Sequence, residues 1–327
     1  MMEQIPYTWL FFAAGAIWFI RLYMQGGKYR KSTTAMGKVV IVTGANTGIG
    51  KETARELAKR GATIYMACRD MAKCEKARQE LIKDTCNKNI FGMKLDLASL
   101  KSIKDFADNF KKIESRLDIL INNAGIMHCP RMVTEDGFEM QIGVNHLGHF
   151  YLTNLLLNLL KKSAPSRIVV LSSLAHKFGP FKKNDFLSEH SYSPSKVYSH
   201  SKIANILFAH ELAKRLQGTK VTINSLHPGV VESELTRHHT IINNAVFRPI
   251  ATVLKWPFFK TTPNGAQTTI YAALDPDLEL VSGAYFADCQ PKKTTAVARD
   301  DHLAKWLWDE SERLINLKLI QLGINEN

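Results

Sequence analysis

Little in this 327-residue sequence points to disulfide, metal or nucleic-acid chemistry. The five cysteines, Cys68, Cys74, Cys86, Cys129 and Cys289, are few, odd in number and scattered. That argues against a disulfide framework and for a reducing compartment. There is no CxxC pair and no HExxH motif. His146 and His149 in NHLGH lack a third ligand nearby, so they are expected to pack a helix and no metal is expected. The absence of a zinc finger, a basic zipper or a basic–aromatic stripe excludes the common nucleic-acid modules. No internal repeat, low-complexity tract or Pro/Gly/Ser linker divides the chain, which favours one large α/β domain over two. With 45% apolar and 22% charged residues, the chain is neither disordered nor a multi-span membrane protein. A net charge of +13 leaves an acidic membrane face or an anionic ligand to be considered.

One long uncharged run is present, IPYTWLFFAAGAIWFI from Ile5 to Ile20. As a helix it would reach about 24 Å, a little under the ~30 Å hydrocarbon core. Leu22, Tyr23 and Met24 extend it if Arg21 snorkels, and Trp9, Trp18 and Tyr23 sit where an aromatic belt would lie. A cleaved signal peptide would start with positive charge, whereas the first ionisable side chain here is Glu3. Arg21, Lys28, Arg30, Lys31 and Lys38 follow the run, which predicts an uncleaved anchor over residues 1–27 with the body in the cytosol.

From Lys38 onward, short β-branched runs alternate with helical stretches. KVVIVT (38–43), TIYMA (63–67), IFGMKL (90–95), DILIN (118–122), RIVVLS (167–172) and KVTINSL (220–226) suit strands buried on both faces. This pattern predicts a single α/β unit, a Rossmann-type doubly wound parallel sheet of about seven strands in the order 3-2-1-4-5-6-7, over residues 38–320.

The first strand runs into Thr43-Gly44-Ala45-Asn46-Thr47-Gly48-Ile49-Gly50 and then a helix. Such a turn aims backbone N–H groups and the helix dipole at one point, which suits a pyrophosphate. The second strand ends Ala67-Cys68-Arg69-Asp70. An acid at the tip would accept from a ribose 2′-OH, whereas Cys68 beside Arg69 accommodates a 2′-phosphate. NADP(H) is therefore expected over NAD(H), with Asp70 capping the next helix.

Tyr198 and Lys202 are spaced i, i+4 on one helix face. A cation beside a phenol favours phenolate, and such a tyrosine can exchange a proton with an alcohol or carbonyl oxygen. A decoy lies six residues earlier, Tyr192 with Lys196. Ser193-Pro194 reads as a helix start, which leaves Tyr192 outside the helix. Asn122-Asn123-Ala124-Gly125 and Ser172-Ser173 fall at strand ends, where ligands of open α/β sheets bind. A serine there could donate to a substrate oxygen, although each motif alone also suits a turn.

Taken together, TGANTGIG, Asp96 in LDL, NNAG, Asn145 in VNHLGHF, SS, YSHSK and His227-Pro228-Gly229 resemble the short-chain dehydrogenase/reductase family from about Lys38 to about residue 290. The resemblance implies a tetrad. Tyr198 is its general acid/base, Ser173 orients the substrate oxygen, Lys202 lowers the tyrosine pKa and binds the nicotinamide ribose, and Asn145 holds a water in the proton relay. It also implies cofactor contacts from Thr43, Gly44, Asn46, Thr47, Gly48, Ile49 and Gly50, with Arg69, Asp96 and Leu97 toward the adenosine. Asn123, Ala124, Gly125, Pro228, Gly229, Val231 and Ser233 complete the set. Longer stretches such as MACRD, SAPSRIVVLSSLAH and SGAYFADC resemble the NADP-dependent retinol dehydrogenase 11 to 14 group, mostly membrane-anchored. That likeness implies a retinoid or lipid aldehyde substrate and a membrane location, the endoplasmic reticulum first, with the mitochondrial membrane or a lipid droplet as alternatives. Other lipophilic carbonyls (steroids, polyprenals, medium-chain aldehydes) and a catalytically silent binding protein remain as rivals. Residues 236–262, holding the apolar stretch IINNAVFRPIATVLKWPFF, fall where the family places its substrate lid. The sequence carries no indication of oligomeric state.

Overall fold

The computed structural model describes residues 7–231 and 256–324. Each of the six apolar runs forms a strand: β1 (Val39–Thr43), β2 (Thr63–Cys68), β3 (Ile90–Lys94), β4 (Ile119–Asn122), β5 (Ser166–Leu171) and β6 (Val221–His227). A seventh, β7 (Tyr285–Ala287), pairs parallel to β6. The sheet order is β3-β2-β1-β4-β5-β6-β7-β8. The expected seven strands are thus exceeded by one. β8 (Gln290–Pro291) turns back antiparallel on β7 through Asp288 and Cys289, both at positive φ. A two-residue strand this short leaves no period-2 pattern in the sequence.

Strand residues alternate between two cores. Val40, Val42, Ile64, Met66, Ile119 and Ile121 face α2 (Gly48–Lys59), α3 (Met71–Thr85) and α7 (Thr262–Leu274). Ile41, Tyr65, Leu120, Ile168 and Ile223 face α4 (Leu100–Ile113), α5 (Gly148–Lys162), α6 (Pro194–Arg215) and α8 (Asp301–Leu322). Both faces are covered, which is why the strands are apolar throughout rather than alternating. Local chemistry starts the helices. Asp70 accepts from the Lys73 amide at 3.0 Å to cap α3, and Ser99 caps α4 through the Ser102 amide. Pro194 opens α6 after Ser193, as its sequence predicts. The strand order reverses between β1 and β4, and a crevice opens there at the carboxyl ends of the strands.

The N-terminal run folds as α1 (Tyr7–Met24). Trp9, Phe11, Phe12, Trp18, Phe19 and Tyr23 are all more than half exposed on it. Among the described residues no helix is long and apolar enough to cross a membrane, so the expected span is cut back to an exposed apolar helix. Its carboxyl end is tied to the segment from Trp256 to Asn264. Arg21 donates to the carbonyls of Trp256 and Phe259, and its guanidinium lies 5.0 Å from the Trp256 ring centroid. Gln25 donates to Phe259 O at 3.1 Å and accepts from the Thr261 amide and the Asn264 side chain. Of the expected lid, residues 236–255 lie outside the described residues.

Candidate active site

A cavity of about 520 Å³ occupies the crevice. One end is made of backbone. Gly44, Asn46, Thr47, Gly48, Ile49 and Gly50 form its floor where β1 turns into α2. Gly44 sits at φ +66, in the left-handed region that favours glycine. A Cβ on Gly50 would lie 2.4 Å from both Gly44 O and Asn123 Nδ2. Thr47 precedes α2 without capping it through its side chain, and the first amides of a helix have no partner within the helix. Arg69, Asp96 and Leu97 line the outer wall, joined by Lys73, which the sequence reading did not single out.

The other end is made of buried side chains. Tyr198 and Lys202 lie one turn apart on α6, 7% and 3% exposed, with Lys202 Nζ 5.7 Å from the Tyr198 ring centroid. Ser173 shares the cavity wall with the phenol and favours its charged form, while its Oγ accepts from the Ala175 amide at 3.2 Å. Ser172 is engaged elsewhere, donating to Lys202 O at 2.7 Å and so locking α6 to the end of β5. The decoy is likewise spent: Tyr192 precedes α6 and donates to Cys129 O at 2.7 Å.

Burial decides the electrostatics. Loss of solvent pushes the Tyr198 phenol up to about 12, against a lowering hydrogen bond from Ser173. The same loss lowers Lys202 to about 8, its ammonium donating to Leu171 O at 3.1 Å. The expectation that Lys202 pulls the tyrosine down is therefore outweighed by desolvation, which disfavours both charged forms.

Two of the expected residues that are described are not on the cavity wall. Thr43 is fully buried beneath it, accepting from the Asn123 and Ala124 amides at 2.9 Å each. Asn145 is also fully buried, in a π-helical turn (Gly143–Leu147). Both of its amide hydrogens are donated, to Ile126 O and Ser201 Oγ, and its Oδ1 accepts from the Ile126 amide. Ser233 lies outside the described residues. The remaining cofactor candidates, Asn123, Ala124, Gly125, Pro228, Gly229 and Val231, all face the cavity.

His149, expected only to pack, bridges the two withdrawn residues. Its Nδ1 is 3.1 Å from Asn145 O and its Nε2 is 2.9 Å from Thr43 Oγ1. His146 does pack, against Phe150, Phe186 and Phe208, with Nε2 on Ser311 Oγ. Ile126, Met127, Met140, Val144, Leu174 and Phe259 give the reacting end an apolar wall. Val144, Leu174 and Phe259 lie in stretches the sequence did mark, but which of their side chains face the cavity is set by packing between distant segments and leaves no local signal.

The family model described as short chain dehydrogenase matches residues 38–241. Human retinol dehydrogenase 12 is 50% identical over 303 residues, 91% of this chain and 93% of that protein. Human retinol dehydrogenase 13 is 49% identical over 315 residues, 96% of this chain and 95% of that protein. Mouse retinol dehydrogenase 14 is 48% identical over 319 residues, covering 93% and 95%. Among solved structures, an uncharacterized protein from Mycobacterium paratuberculosis superposes with a TM-score of 0.70 at 37% identity, covering 87% of this chain and 95% of that one.

Proposed function

The chain belongs to the short-chain dehydrogenase family and is an oxidoreductase, and from that premise we propose that it reduces a retinoid or similar lipophilic aldehyde with NADPH, using Tyr198 as general acid. One observation carries this reading: Tyr198, Lys202 and Ser173 converge at the apolar end of a cavity whose other end is a glycine-floored anion cradle. Relatives with about half their residues identical are named for retinol.

The donor set suits a nicotinamide dinucleotide. The turn from Gly44 to Gly50 and the start of α2 would hold the pyrophosphate, because no Cβ keeps an anion off the backbone there. Arg69, with Lys73 beside it, would take a 2′-phosphate. Asp70 is spent on capping α3 and so adds little repulsion. Asp96 and Leu97 would face the adenine, and Asn123 to Gly125 with Pro228, Gly229 and Val231 the nicotinamide half. When bound, the cofactor supplies the hydride.

The chain's own residues handle the proton and the geometry. A phenol held near 12 is protonated at neutral pH, so Tyr198 is ready to donate a proton to a carbonyl oxygen as negative charge develops there. Ser173 donates a second hydrogen bond to the same oxygen. Lys202, protonated below about 8, supports the phenolate left behind. The relay role of Asn145 would fall to its backbone carbonyl, which His149 orients, because its side chain is turned to Ile126 and Ser201. We infer that α1, the exposed Trp256 and Phe258, and the basic residues after α1 rest against a bilayer, the cytosolic face of the endoplasmic reticulum, and bring a lipophilic substrate to the cavity mouth.

The test is NADPH oxidation by the full chain with all-trans-retinal, nonanal and a ketosteroid. Retinal is expected to turn over fastest, and Tyr198→Phe to lose about 10²- to 10⁴-fold. Full activity in Tyr198→Phe would overturn the mechanism, and preference for the ketosteroid would overturn the substrate.

A further inference from the structure

β5 and β6 stop pairing just short of the reacting end of the cavity. The last ladder partners are Leu171 and Leu226, followed by one bond from the Ser172 amide to Leu226 O at 2.7 Å. Beyond it the chain leaves the sheet in two turns. One carries Ser173 and Leu174, the other Pro228 and Gly229, and all four residues line the cavity. Each turn has its own stiffness. The His176 amide and its Nδ1 both reach Ser173 O, at 3.1 and 2.7 Å. Gly229 is held at φ +97, with Lys260 packed where a Cβ would be.

What joins the two turns is the imidazole of His227. Its Nδ1 is 3.1 Å from the Leu174 amide nitrogen and 3.4 Å from the Gly229 amide nitrogen. Both partners can only donate, so Nδ1 is the bare acceptor and the ring proton sits on Nε2. Burial holds this imidazole neutral, lowering it to about 4. Lys260, His176 and Lys177 push the same way and Asp288 opposes them. A protonated ring would aim an N–H at two other N–H groups and lose both bonds.

We propose that His227 is a positioning residue for the reaction, its Nδ1 holding the Ser173–Leu174 turn and the Pro228–Gly229 turn in register. Ser173 orients the substrate oxygen, and the Pro228–Gly229 turn forms the wall on the nicotinamide side. The separation of the two turns therefore sets how the carbonyl meets the hydride. The inference rests on the dehydrogenase reading above. It adds a residue that lines the cavity but acts through the two turns it joins, and hence one whose loss lowers kcat more than it raises KM.

Side-chain geometry supplies the test. Asparagine Oδ1 stands the same number of bonds from Cβ as histidine Nδ1 and accepts in the same direction, whereas leucine fills similar space with no acceptor. With retinal and NADPH, His227→Asn is expected to keep kcat within about threefold of wild type. His227→Leu is expected to lose about 10- to 100-fold in kcat, with KM for both substrates changed less. Melting temperatures are measured alongside. Should His227→Leu fail to fold, His227→Gln takes its place, because its acceptor is displaced by one methylene, and it should fall below His227→Asn. Equal loss of kcat in the Asn and the non-accepting variant, or wild-type kcat in His227→Leu, would overturn the proposal. Tyr198→Phe serves as the reference. If it stays active, the dehydrogenase mechanism itself fails. If it is inactive while His227→Leu runs at the wild-type rate, only the role of His227 fails.

Discussion

The two ends of the cavity are built from opposite materials. At the end from Gly44 to Gly50 three glycines leave backbone open to the crevice between Asn46, Thr47 and Ile49. At the end around Tyr198 and Lys202 it buries side chains whose charged forms are disfavoured there, Lys202 moving down and Tyr198 up. The first end works by space, the second by low dielectric. A steric change should damage the first at any pH, whereas the second should respond to protonation.

The largest effect is expected at the side-chain end. Lys202→Met should cut carbonyl reduction by about 10²- to 10⁴-fold. In wild type, kcat for reduction should fall as pH rises through about 8, because Lys202 loses its proton there. A flat profile between pH 7 and 9 would separate Lys202 from the proton path. At the backbone end, Gly50→Ala places a methyl 2.4 Å from two polar atoms that cannot both move. It should cost about 1–3 kcal/mol of stability and weaken NADPH binding without a pH dependence, read by thermal melting and fluorescence titration. Unchanged melting and binding in Gly50→Ala would show that the turn has slack.

A smaller effect is expected at the outer wall. Arg69→Ala should raise the KM for NADPH about tenfold and leave that for NADH nearly unchanged, since only the former carries the phosphate. An equal rise for both would reassign Arg69. The last effect is one of stability and needs acid to appear. His149, His200 and His227 are lowered to about 4 and His146 to about 3, chiefly by burial. Their unfolded value is about 6.5. Between pH 6.5 and 4 the unfolded chain therefore binds protons that the folded chain refuses, so stability falls as pH falls through that window and is unaffected above it. Melting curves from pH 7.5 to 4.5 should show the decline, and His146→Phe should lessen it.

Much of the site was legible along the chain, because the relevant geometry is local. Tyr198 and Lys202 share a face since four residues make about one helical turn, and Pro194 told the true pair from the decoy at Tyr192. Gly44, Gly48 and Gly50 follow a buried strand directly, so their place at its carboxyl end needed no tertiary information. The roles of Thr43 and Asn145 were less legible. Whether the Thr43 hydroxyl faces the crevice or the layer beneath depends on what packs over it, which is His149, and the Asn145 side chain is drawn away by Ile126 and Ser201.

By itself, then, the sequence determined the alternation of strands and helices, the anion-binding turn and the Tyr–Lys pair, all set by periodicities of a few residues. Only the tertiary structure decided what those elements meet. It set the eighth strand, the tie between α1 and Phe259, and the imidazole of His227 across two turns. It also set the burial that raises a phenol the sequence alone would have lowered. The physical reason is one of range. Backbone preference and period act over a single turn or pleat, whereas desolvation and hydrogen-bond partnership depend on segments brought together by crossovers of the sheet.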